Sequence, residues 1–239
     1  MSNESTSRPN GASRRIIDEF GGNAVLLIAL IVLLTVVPFL PGHNTEDIVT
    51  RLVWTAVIVA GLLRASGRRG FLWIALLLAV PSLLSRWFEI PGVTVARPLV
   101  VSLFLLSICA HILADIFQRR QIEIDQILGG VNVYLLLGVL FARLHVAIET
   151  LTPGSYMLGD ATLATASAQA GQQLEDILQY FSFTSLTTLG YGDVRPVSHA
   201  ARMLSAGEAV IGQLFVAIFI ARLVSIYATR PDEDRSGKG

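Results

Sequence analysis

Six apolar runs punctuate the chain: Ala24–Leu40, Ile48–Leu63, Phe71–Leu84, Pro98–Ala114, Ile127–Ala142 and Met203–Ile220. Each extends with its flanking residues toward the roughly 20 residues that carry a helix across a bilayer. Composition agrees. Of 239 residues, 53% are hydrophobic and 15% charged, against about a quarter charged in soluble domains. The first run is long for a signal peptide and VVPFLPG has no small-x-small cleavage site, so it reads as a retained helix. The expected fold is an all-α membrane protein with six transmembrane helices.

Charge narrows the function. The formal net charge is zero, which gives no case for nucleic acid as a partner. One cysteine, Cys109, lies in an apolar run, so neither a disulfide framework nor a cysteine metal site is available within the chain. With the N-terminus placed inside, eleven Arg and Lys fall on the inner side. Five fall outside, namely Arg51, Arg86, Arg97, Arg195 and Arg202, while Arg143 and Arg222 lie within helices. That bias predicts both termini cytoplasmic. The first fifteen and the last eleven residues read as polar and disordered, within cytoplasmic tails at 1–22 and 228–239. The latter is too short for a regulatory domain.

Between the fifth and sixth runs the pattern changes. TPGSYMLGDATLATASAQAGQQ reads as a polar, small-residue surface loop. LEDILQYFSFTSLTT is too short and too mixed to span, and Glu175 and Asp176 near its start suit the positive end of a helix dipole. It reads as a half-helix re-entering from outside, which survives at bilayer depth only against protein or a water-filled cavity. TTLGYGD follows at 187–193. A tight turn needs one glycine at most. Gly190 and Gly192 in alternation indicate a backbone that repeatedly takes up conformations open mainly to glycine.

This stretch resembles the pore signature of potassium channels, T-V-G-Y-G-D, with Leu189 in place of the usual valine. The resemblance extends over about Gly129 to Tyr227: an aromatic pair (Tyr180, Phe181), Pro196 after the filter, Arg202 at the start of the last helix, and Gly212 where an inner-helix glycine is common. This region resembles the bacterial single-pore-loop channels. The resemblance implies a re-entrant pore helix and filter loop, with residues 23–126 as a four-helix peripheral domain and 127–227 as the pore domain. It also implies K+ ligation by the carbonyls of Thr188, Leu189, Gly190 and Tyr191, with the Thr188 hydroxyl at the inner end. Rings of carbonyls replace the ion's water shell, and one loop per chain cannot enclose an ion, so a homotetramer is implied. Thr187, Asp193, Glu208, Gly212 and Arg143 are candidates for filter support and gating, with Tyr191 and Asp193 bracing the filter. K+ is the permeant ligand, membrane lipid and three further copies are the other partners, and no cofactor is called for. A bacterial inner membrane is implied in the same way.

Several residues carry two readings each. Glu208 lies about 15 Å into the last helix at the helical rise. It either pairs with Arg143 at similar depth or sits behind the filter and tunes gating by hydrogen bonds. Gly207 either packs on the pore helix or hinges. The acids Glu149, Asp160, Glu175, Asp176 and Asp193, with no Arg or Lys among them, either gather cations at the outer entrance or simply solvate the loop. His111, Asp115 and Arg119 share one helix face, as a local ion pair or as a pH sensor. The fourth helix has no basic residue but His111 between Arg97 and Arg119. It lacks the repeated charges of a voltage sensor. The readings carried forward are a potassium-selective channel, a poorly selective cation channel, a non-conducting regulatory subunit, and a haem carrier through His111 and His145. The last is disfavoured because those histidines differ in depth by roughly 15–20 Å. No serine–histidine–acid set points to an enzyme.

Overall fold

The computed structural model describes residues 22–36, 39, 43–65, 69–87, 96–118, 124–170 and 173–228. The two expected tails, apart from Gly22 and Ala228, and Arg119 of the proposed charge triad lie outside the described residues. All six apolar runs form helices: α1 (Gly22–Ile31, continued by a wide π turn, Val32–Val36), α2 (His43–Ala65), α3 (Arg69–Trp87), α4 (Ala96–Gln118), α5 (Ile124–Leu151) and, at the end, α8 (His199–Ala228). Three of them, α4, α5 and α8, contain stretches long and apolar enough to cross a membrane. Gly22–Val36 and Gly70–Leu84 are shorter apolar helices.

The region read as a surface loop is instead built. Tyr156–Leu158 (β1) and Ala161–Thr162 (β2) form a hairpin, Leu163–Ala170 is a helix (α6), and Val194–Pro196 (β3) pairs with β1. The antiparallel sheet has the order β2-β1-β3, with Tyr156 opposite Pro196 and Leu158 opposite both Ala161 and Val194. The hairpin turns on Gly159 at φ 60°, a glycine at the first central position of a two-residue turn, where the strand twist favours it. Small and polar residues concealed this element because its partner strand lies over thirty positions downstream. The half-helix is as expected, α7 (Leu174–Leu186).

At one end of the bundle the starts of α1, α3 and α5 meet the ends of α2, α4 and α8. Asn23 of α1 donates to the Asp125 carboxylate at 2.9 Å, Arg64 of α2 reaches both Asn23 (3.1 Å) and Asp115 of α4 (2.5 Å), and Asn132 of α5 donates to the Asn23 carbonyl at 2.7 Å. Asp115 thus pairs across helices with Arg64. His111 is buried, its ring tilted on Phe71 at 4.6 Å. α2 and α3 thus supply partners to the face of α4 that carries His111 and Asp115. Arg222 of α8 donates to the carbonyls of Ile116 and Phe117 at 2.9 and 3.1 Å, neutralising the C-terminal end of α4.

Among the described residues two apolar clusters form the core. The larger runs from Leu26 through Trp54, Phe104 and Ile112 to Phe141, so α5 shares one core with α1–α4. The smaller joins Val146, Tyr156, Leu178, Phe181, Val194 and Ala201 beneath the sheet.

Candidate functional site

Apolar spacing explains how α7 lies. Ile177, Leu178, Phe181 and Leu186 are buried, together with Ser182 and Thr184, while Glu175 and Asp176 occupy the first turn. Glu175 is held by Arg143 of α5, which also lies over the Trp54 ring at 5.1 Å. The expected Arg143–Glu208 pair is therefore corrected: Arg143 faces the N-terminal end of α7, where a carboxylate already favoured by the helix dipole meets it. Glu208 meets His145 of α5 and Ser182 of α7 instead.

Beyond α7 the chain folds back on its own helix. Thr187 ends α7 with right-handed backbone angles, its hydroxyl donating to the Phe183 carbonyl at 2.7 Å. The amide of Thr188 donates to the Ser185 carbonyl at 2.9 Å and that of Gly190 to the Thr184 carbonyl at 3.1 Å. Thr188, Gly190 and Gly192 have φ of 59°, 55° and 79°; Leu189 and Tyr191 do not share this positive φ. The left-handed backbone anticipated at two glycines thus extends to a threonine, and the sign of φ alternates through five residues. A β-branched residue in this region is a genuine outlier.

The outer end of this strand is clamped. Tyr180 donates to Asp193 at 2.9 Å and its ring lies parallel to that of Tyr191 at 6.5 Å. Gly159 of the hairpin donates to the Asp193 carbonyl at 3.0 Å, and Arg195 reaches back to Gly159 and Asp160. Asp193 is thus tied to both α7 and the hairpin, and Tyr191 lies beside Tyr180. Glu149 does not join an outer field of acids: it is buried at the end of α5 and accepts from the amides of Gly154 (2.9 Å) and Tyr156 (3.1 Å). Residues 187–193 are all exposed in a single chain.

Behind α7 stands a polar group that spacing did not reveal. Glu208, wholly buried, lies 2.8 Å from His145 Nε2 and 2.5 Å from Ser182 Oγ, while His145 Nδ1 lies 2.5 Å from the Tyr156 hydroxyl. Burial first, then the nearby Glu149 and Glu208 carboxyl groups, push the Tyr156 phenol well above its ordinary range. Both ring nitrogens of His145 are engaged, leaving neither for a haem iron. Among the described residues no cluster of His, Cys, Asp or Glu is arranged to hold a metal ion.

The glycines of the last helix differ in their surroundings. A Cβ on Gly212 would run into the Leu186 carbonyl, whereas Gly207 has open space around it within the chain. Gly212, and not Gly207, is the position packed on α7. Gln213 beside it donates to the Thr188 hydroxyl at 3.4 Å.

Residues 156–229, from β1 through α7 and the 187–193 strand to the end of α8, match the family model described as an ion channel. No curated protein and no solved structure matches the chain. The chain is mostly helical, α4, α5 and α8 contain stretches long and apolar enough to cross a membrane, and its residues 156–229 are similar to an ion channel.

Proposed function

We propose that four copies of this chain form a potassium-selective channel, with the 187–192 strands lining a central pore. The observation that carries this reading is the alternation of φ at Thr188, Gly190 and Gly192. In an extended strand successive carbonyls point to opposite sides. Alternating left- and right-handed residues turn them to the same side, which is what a dehydrating cation requires of a ladder of oxygens. Thr188, Leu189, Gly190 and Tyr191 supply those carbonyls, and Gly192 lets the strand leave. The C-terminal end of α7 directs the negative end of its dipole toward the inner approach.

The exposed strand supports the tetramer, since Leu189 and Tyr191 are 56% and 69% exposed in one chain. So does α8, which is apolar all round yet largely uncovered. Such a helix is normally buried by lipid or by other helices. In this reading residues 127–227 form the pore and 23–126 surround it, with both termini on the cytoplasmic side of a bacterial inner membrane.

The test is flux of K+ and Na+ from liposomes holding the purified tetramer, with Gly190→Ala as control. Alanine at φ 55° costs about 1–3 kcal/mol of strain at a position whose carbonyl faces the ion. Potassium flux well above sodium flux, lost in the variant, is the expected result. Equal fluxes would establish a nonselective cation channel instead. No flux under any pH or lipid condition from an intact tetramer would point to a subunit without conductance of its own.

A further inference from the structure

Behind the filter helix, four wholly buried side chains from four elements form one line of contacts: Tyr156 (β1), His145 (α5), Glu208 (α8) and Ser182 (α7), ending on the Gly138 carbonyl of α5. From this line we infer that Glu208 is a proton-holding site, kept as the neutral carboxylic acid, and that its hydrogen ties the filter helix to the two helices behind it.

Counting hydrogens makes the case. Four contacts of 2.5, 2.8, 2.5 and 2.7 Å need four hydrogens. The Gly138 carbonyl can only accept, so it takes the single hydroxyl hydrogen of Ser182. Ser182 then offers only lone pairs to Glu208 Oε1, and the hydrogen between them belongs to Glu208. With that proton on Oε1, Oε2 accepts from His145 Nε2–H. Nδ1 accepts in turn from the Tyr156 hydroxyl. The line runs one way, every contact is filled, and no net charge is buried.

Ionising the pair breaks this order. If the proton moved to His145, both ring nitrogens would donate and Ser182 would turn to the carboxylate. The Gly138 carbonyl would then face a lone pair at 2.7 Å, and the Tyr156 hydrogen would have no acceptor within the line. A half-satisfied buried network is worse than none.

The surrounding charges leave the site uncompensated. On α5, Arg143 is engaged with Glu175 of α7, and Glu149 is engaged with the Gly154 and Tyr156 amides. Tyr156 is the titratable group that β1 presents, α7 presents the hydroxyl of Ser182, and α8 presents Glu208 itself. Among the described residues His145 is the one cationic type paired with Glu208.

The experiment uses the full-length protein in detergent, compared with Glu208→Gln and Glu208→Leu by infrared difference spectroscopy and by the heat-denaturation midpoint. A glutamine keeps an acceptor toward His145 and a donor toward Ser182, so it copies the neutral acid. The expected result is a carboxylic-acid C=O band at neutral pH that Glu208→Gln removes, with the midpoint kept in Glu208→Gln and lowered by several degrees in Glu208→Leu. Carboxylate bands in place of the acid band, or a Glu208→Gln midpoint that falls as far as that of Glu208→Leu, would overturn the inference in favour of an ionic pair. Neither readout involves flux, so this outcome is independent of whether the pore selects potassium.

Discussion

Among the described residues Thr188 is the one non-glycine residue with a positive φ. Its φ of 59° puts a β-branched side chain where strain is about 1–3 kcal/mol. The amide bonds of Thr188 and Gly190 to the last turn of α7, together with Gln213 on its hydroxyl, hold it there. Gly212 has the opposite constraint, a lack of space. Because the obstacle to a side chain is the backbone carbonyl of Leu186, which cannot swing aside, Gly212→Ala destabilises the protein by about 1–3 kcal/mol. Gly207→Ala, into open space in a helix, leaves stability unchanged or raises it by about 0.4–1 kcal/mol. Heat denaturation of the two variants side by side measures the contrast. The resemblance makes Gly212 a candidate for filter support or gating and leaves Gly207 to pack or to hinge; helical spacing alone cannot say which of two glycines meets a neighbour's backbone.

The three-stranded sheet is the element whose presence changes most about the site. It rests on Tyr156 below, carries the Asp193 backbone at Gly159, and is held to the end of α5 by Glu149. A carboxylate accepting two backbone amides contributes about 1.5–3 kcal/mol for each charged bond. Glu149→Gln keeps one acceptor and turns an amide NH2 toward the other backbone N–H. The expected effect is a tenfold to hundredfold faster hydrogen exchange at the β1 and β3 amides, with exchange in α4 unchanged. Equal protection in both proteins would mean that strand pairing alone keeps the sheet in place. Strands of two and three residues carry too little alternation to be read in advance. They form because the chain leaving Asp193 runs beside the chain leaving α5.

At the scale of the molecule, α5 belongs to both halves. Its Val133, Leu136 and Val139 sit in the core shared with α1–α4, while Val146 joins the cluster under the sheet. Packed side chains of α5 therefore connect the first four helices with the residues around α7 and the sheet. A second link is Arg222, which fixes the end of α8 to the last carbonyls of α4 and lies 4.8 Å over the Phe117 ring. Arg222→Ala removes about 1–2 kcal/mol of helix-end stabilisation and lowers the denaturation midpoint, while the ratio of potassium to sodium flux stays as in the unaltered protein. A change in that ratio would show that the inner end of α8 shapes the filter itself.

The sequence by itself determined the helices and the unusual backbone after α7. Apolar runs of sufficient length have few other ways to satisfy their backbone, and paired glycines after a short helix permit the left-handed backbone found at Gly190 and Gly192. Those are local properties, written in consecutive residues. Tertiary structure alone decided the partners: Arg143 with Glu175, Asp115 with Arg64, Glu149 with the sheet, and Glu208 with His145 and Ser182. Arg143 and Glu208 share a similar depth along their helices, but depth does not give the angle about each helix axis. That angle is set when side chains pack, and it turned the arginine toward one end of α7 and the glutamate toward its middle.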